Sequence, residues 1–99
     1  MKHYRQGDVL IARINSIPES ATPKAGPVIL AYGEVTGHCH QIHEGAALFE
    51  DSGVTYLEVQ QALADLRHEE HSTIPIERGV YRVTIQREYT PQGIRNVQD

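Results

Sequence analysis

Twelve consecutive residues, Gly33-Glu34-Val35-Thr36-Gly37-His38-Cys39-His40-Gln41-Ile42-His43-Glu44, carry three histidines, one cysteine and two glutamates. A second cluster, Arg67-His68-Glu69-Glu70-His71, follows further along the chain. Neutral imidazole is a good ligand for first-row transition metals. On an extended strand, residues i and i+2 share a face, so His38 and His40 project together while Cys39 points the other way. His68 and His71, spaced i and i+3, suit either a turn or one face of a helix. These four histidines are the candidate metal ligands. Three of them with one position left to water make a catalytic arrangement, and four make a closed structural one. Glu44, Glu69 and Glu70 are the candidates for an oxygen ligand, a partner behind the ligands, or a general base. The expected ion is a divalent transition metal, zinc first, with iron, nickel or manganese as alternatives. The His68-Glu-Glu-His71 spacing excludes the zinc-protease helix motif, whose histidines stand four residues apart.

Gly33, the pair His38-x-His40 and, after three further residues, Glu44 resemble the first motif of the cupin superfamily, small β-barrels that commonly bind a metal. That resemblance implies His38, His40 and Glu44 as ligands. The chain departs from the cupin pattern in the spacing of Gly33 and in having His68 and His71 before, not after, the Pro75–Gly79 stretch. The Thr36-Gly37-His38-Cys39-His40, His68–His71 and Gln86-Arg87-Glu88-Tyr89 stretches are also similar to those of short uncharacterised bacterial and phage proteins, a likeness that implies no activity.

The elements that must position these residues read as β-structure. Val9 to Ile14 is a mostly buried strand, rich in β-branched and aliphatic residues. Residues 15–27 hold three prolines and form a long loop. Val28 to Tyr32 is the next strand, and Glu34 to Ile42 continues extended, with Gly37 marking a bulge or a close backbone approach. Residues 45–50 and 54–59 form a hairpin about a three-residue turn, Asp51-Ser52-Gly53. Gln60 to His71 is readable either way: a short helix around 60–70 would align Leu57, Gln61, Ala64, His68 and His71, and a strand would align Ala62, Ala64, Leu66 and His68. Strand is preferred, because no helix cap precedes the segment. Glu77-Arg78-Gly79 reads as a turn, and Val80 to Arg87 as a strand with Tyr81, Val83 and Ile85 facing in. Residues 91–99 form a loosely held polar tail. The expectation is one all-β domain over residues 1–99, a small barrel or sandwich of about six to eight short strands.

Bulk properties narrow the function classes. The chain has 99 residues, enough for one core and too few for two. A net charge of −4 argues against a surface devoted to phosphate backbone, which needs many Lys and Arg contacts. Arg78, Arg82, Arg87 and Arg95 nevertheless stand against a single acid, Glu88, and with Tyr89 leave RNA open as a partner. Cys39 is the only cysteine, so no internal disulfide forms. It reads as a small buried residue. With no apolar run of membrane-spanning length and no signal peptide at the start, the expected place is the cytoplasm, with no membrane partner. Two main functions stay open. One is a metal-dependent hydrolase or oxygenase acting on a small molecule. The other is a non-catalytic module that binds protein or RNA, its metal structural or absent. A metal-free enzyme using histidine and glutamate is a third, and an oligomer fits any of them.

Overall fold

Clean alternation of apolar and polar residues, broken by glycine-containing turns, produces strands and nothing else among the described residues. The computed structural model describes residues 2–32 and 37–86. Its strands are β1 (His3–Gln6), β2 (Val9–Arg13), β3 (Thr22–Pro23), β4 (Val28–Tyr32), β5 (Cys39–Ile42), β6 (Ala46–Asp51), β7 (Val54–His68) and β8 (His71–Ile85). The main path of the sheet runs β1-β2-β8-β7-β5-β4, with β6 also paired to β7 and β3 to β6. All pairings are antiparallel. The fold is therefore all-β, of the barrel-or-sandwich class, with the sheet not closed on itself. None of the described residues forms a helix, so no helix is long and apolar enough to cross a membrane.

The β7–β8 hairpin is the spine. Each strand has 15 residues, about three times the usual length. β7 pairs with β8 along one edge, while its other edge takes β6 over Val54–Val59 and β5 at Leu66–Arg67. Inward residues from all these strands form one core: Val9, Ile11, Leu57, Leu66, Ile76 and Tyr81 are each fully buried. Burying an aliphatic side chain of this size contributes about 1.5–3 kcal/mol, so the core does not depend on the histidine clusters. The Tyr81 hydroxyl donates to the Glu77 carbonyl at 2.5 Å, and burial pushes its pKa up to about 12.

The preferred strand reading holds over residues 60–68, and other expectations are corrected. Residues 60–68 are strand, and the helix around 60–70 does not form: Ala64 and Leu66 are buried while Asp65 and Arg67 are exposed, a period of two. Glu77-Arg78-Gly79 is no turn, because β8 runs straight through it. Gly79 has φ +153, and a Cβ there would lie 2.6 Å from Arg13 Cζ. The glycine admits the Arg13 guanidinium, which sits 5.6 Å over the Tyr81 ring. The long loop at 15–27 contains the short β3, and Ile85, expected inside, is 39% exposed. Gly33, Glu34, Arg87, Tyr89, Arg95 and the 91–99 tail lie outside the described residues.

The β6–β7 turn has two residues rather than three, since Asp51 pairs with Val54. Ser52 (φ 52) and Gly53 (φ 83) both occupy the left-handed region, as a type I′ turn requires. Serine tolerates this poorly and asparagine well. Ser52→Asn is expected to stabilise the protein by about 0.5–1 kcal/mol, measured as a raised urea midpoint with unchanged slope; a lowered midpoint would contradict this turn assignment.

Candidate functional site

Two tight turns and one strand pairing assemble the site. His68 pairs with His71 across the end of the β7–β8 hairpin, leaving Glu69-Glu70 as the turn. The i, i+3 spacing is thus that of cross-strand neighbours, with ring centroids 4.7 Å apart. Neither glutamate has positive φ, so the turn is not of the primed kind that matches strand twist. A register shift between Leu66 and His68 places one extra residue on β8 just behind it. β5 then lies alongside: Ile42 pairs with Leu66 and Gln41 with Arg67, so the next step along the same register brings His40 beside His68. Their ring centroids are 4.3 Å apart. His38, just before β5, meets His68 edge-on at 5.7 Å, and His40 stacks on His71 at 5.8 Å. All four histidines singled out from the sequence converge.

Their surroundings differ. His40 is 3% exposed, and its ring state follows from its neighbours. The Gln6 side-chain amide donates to the carbonyls of Leu66 (3.0 Å) and Ser72 (2.9 Å). Both its protons being spent, its Oε1 is the atom that faces His40 Nδ1 at 2.8 Å. Nδ1 therefore donates, and the lone pair sits on Nε2. Burial, reinforced by His68, lowers the His40 pKa to about 4, against the opposing charge of Asp8. His68 is held in the other sense, its Nδ1 accepting the Glu70 backbone N–H at 2.9 Å. In neutral form it turns an Nε2–H toward its neighbours. His38 Nδ1 is shut from solvent without a hydrogen-bond partner, 3.7 Å from Glu70 Oε2. Leaving such a nitrogen dry costs about 1–3 kcal/mol.

The carboxylates also separate. Glu69 Oε1 accepts the Cys39 backbone N–H at 3.0 Å. That bond, with the Glu69 backbone N–H and nearby His38 and His68, holds its carboxyl below the usual range. His38, His68 and Glu69 can each offer a ligand atom, all within 4.8 Å of one another. Glu70 faces His38 from the exposed turn. Glu44 lies elsewhere: with His43 it lines a depression shared with Gln61, Asp65 and Arg67, none of them part of the cluster. Cys39 is buried, and burial followed by the charge of Glu69 pushes its thiol pKa up, an environment that disfavours a thiolate. Of the basic strip, Arg78 and Arg82 are exposed on β8.

Three residues of this site carry no signal that singles them out in the sequence. Gln6 is buried at the end of β1; only its alternation with half-buried Tyr4 hints that it faces inward. Gly7 and Asp8 form the β1–β2 turn, and Gly7 (φ +61) is packed so closely that a Cβ would lie 2.9 Å from His71 Nε2. That turn is a wall of the cluster, and Asp8 is the nearby charge that favours protonation of His40.

Residues 5–86 match the family described as Domain of unknown function (DUF8820). No curated protein and no solved structure matches the chain.

The depressed His40 pKa has a defined consequence for metal-free protein. Above about pH 6.5 the residue is neutral whether the chain is folded or unfolded. As pH falls, the unfolded chain takes up the proton first, and the folded one only near about 4. Stability is lost across that window, by about 3 kcal/mol from this residue. Urea unfolding of chelator-treated protein over this range measures it. His40→Phe is expected to flatten the profile, and an equally steep profile in that variant would contradict the assignment.

Proposed function

The chain belongs to the DUF8820 family, and we propose that this member binds one divalent transition metal, zinc ahead of iron, nickel or manganese, at the histidine cluster. The observation that carries this reading is His38 Nδ1, shut from solvent without a hydrogen-bond partner and belonging to a group, His38, His68 and Glu69, whose ligand atoms lie within 4.8 Å. Tetrahedral zinc at about 2.0–2.1 Å from each donor needs ligand atoms about 3.3 Å apart, so a modest contraction suffices. His38 and His68 supply imidazole and Glu69 a carboxylate within that group; His40, whose ring lies 4.3 Å from that of His68, and exposed His71 stand outside it and would move in to complete the coordination. Glu69 can ligate through one oxygen while the other keeps the Cys39 amide. To bind through Nε2, His68 must shift its proton to Nδ1, which ends the hydrogen bond that Nδ1 accepts from the Glu70 N–H. Glu44, a ligand by the cupin resemblance, is left out because it lines a different depression.

The chemistry such a site supports depends on its open side. His71, Glu69 and Glu70 all face solvent, which leaves room for a bound water whose pKa the ion would lower, with Glu70 as the base. This favours a metal-dependent hydrolase acting on a small molecule. A second reading has its own support: the cluster ties the tip of a 15-residue hairpin to β5, which suits a structural ion in a protein- or RNA-binding module.

Elemental analysis of purified protein is expected to find one transition-metal ion per chain, released on acidification because imidazole binds a metal only without its second proton. Zinc at about a hundred times its Kd contributes about 2.7 kcal/mol, enough to raise Tm by roughly 10 °C or more in a domain of this size. A stoichiometry near zero with no thermal shift on zinc addition would end the metal reading. Hydrolysis of activated esters by the zinc form that is lost in Glu70→Gln, with zinc content unchanged, separates the catalytic reading from the structural one.

A further inference from the structure

Buried Gln6 belongs to no ligand set, yet every polar atom of its side chain is committed. Its two amide protons are fixed on Leu66 O and Ser72 O, one carbonyl from each strand of the hairpin, and its oxygen is fixed on His40 Nδ1. An amide reversed in this pocket would set its oxygen against two carbonyl oxygens, so only one orientation satisfies all three partners. The orientation of Gln6 therefore dictates the tautomer of His40. Tautomer choice matters because an imidazole binds a metal only through a nitrogen that carries a lone pair. Without an acceptor at Nδ1, a neutral histidine is free to place its proton on either nitrogen.

We propose that Gln6 is the positioning residue of the cluster: it locks His40 as the Nδ1–H tautomer and presents Nε2 as the donor atom for the ion. The amide carbonyl takes the part that a carboxylate or backbone carbonyl plays behind many metal-bound histidines. It also fixes the ring plane, since Nδ1 must point at Oε1, and Gly7 keeps the other side of the ring close by admitting His40 Cε1 to 3.4 Å of where a Cβ would stand. The β1 strand end is thereby made part of a site whose named groups come from β5, β7 and β8. The significance for metal binding rests on the reading above; the tautomer lock itself does not.

The test has two arms. In metal-free wild-type protein at neutral pH, long-range 1H–15N correlation of the imidazoles reports which nitrogen carries the proton. His40 is expected as Nδ1–H. Predominant Nε2–H, or an even mixture, overturns the proposal whatever the protein does with metals. The second arm compares Gln6→Met, which removes all three hydrogen bonds, with Gln6→Glu, which removes the two ties to the carbonyls but keeps an acceptor for Nδ1–H. Gln6→Glu, whose second oxygen faces the two carbonyls, is the less stable of the two, yet only Gln6→Met is expected to weaken zinc binding, by about 10–100-fold, with Gln6→Glu returning to within a few-fold of wild type. Equal zinc affinities in the two variants overturn the positioning role. If zinc binds none of the proteins while the wild-type tautomer is Nδ1–H, the lock stands and the metal reading falls.

Discussion

The structure of the cluster depends on one buried amide. Placing a primary amide in an apolar interior costs several kcal/mol unless its donors and acceptor are all satisfied, and Gln6 meets that condition with one carbonyl from β7, one from β8 and one imidazole from β5. The three partners come from three strands, so the bonds are satisfied together only when those strands are in register. This makes a local polar requirement into a constraint on tertiary structure. The register shift near the hairpin tip is part of the same arrangement. It lies between Leu66 and His68 on β7 and takes in Ser72 on β8, so one carbonyl that Gln6 holds is at its edge and the other within it.

Behind that junction the long hairpin does the coarse positioning. A 15-residue strand offers enough edge for two different neighbours, and β7 uses it that way, with β6 near its start and β5 near its end. The apolar core fills the region between Val9 and Val83 without using a histidine. The polar cluster can therefore sit at one end of a barrel-like sheet whose stability comes from elsewhere. The turns at that end are chosen for what they let approach: Gly7 for the rings of His71 and His40, and Glu69-Glu70 for a carboxylate that reaches the Cys39 amide.

Much of this was readable from residue order, and what was not has a physical cause. The period-two alternation around Tyr81 and Val83 and the Ser52-Gly53 turn identified an all-β chain. The i, i+2 rule put His38 and His40 on one side and turned the Cys39 thiol away, toward burial. His68 and His71 were legible as a pair but not as a cross-strand pair, because the same spacing serves a helix face. Gly79 misled, since a glycine that admits an arginine side chain looks the same in sequence as one that turns the chain. Gln6 and Asp8 were invisible for a deeper reason. Their importance comes from long-range pairing, Gln6 with groups 34 to 66 residues away, and local pattern carries no information about register at that range.

The electrostatics of the cluster are clearest at His40. Its ring lies against those of His68 and His71, where a charge on His40 would meet like charges in a buried setting. Burial and His68 together outweigh the pull of Asp8. A proton is thus kept off the His40 lone pair, while Asp8, Glu69 and Glu70 bring negative charge to the same end of the sheet. On the metal reading proposed above, a dication would answer both conditions at once. It would satisfy several nitrogens with one centre and bring opposite charge to the carboxylates, where separate protons would multiply positive charges against one another. Water can satisfy a lone pair but brings no charge to the acids around it. The proposed cation site rests on this arrangement, a neutral His40 beside an acidic rim, and most specifically on the shielded His38 nitrogen that has no hydrogen-bond partner.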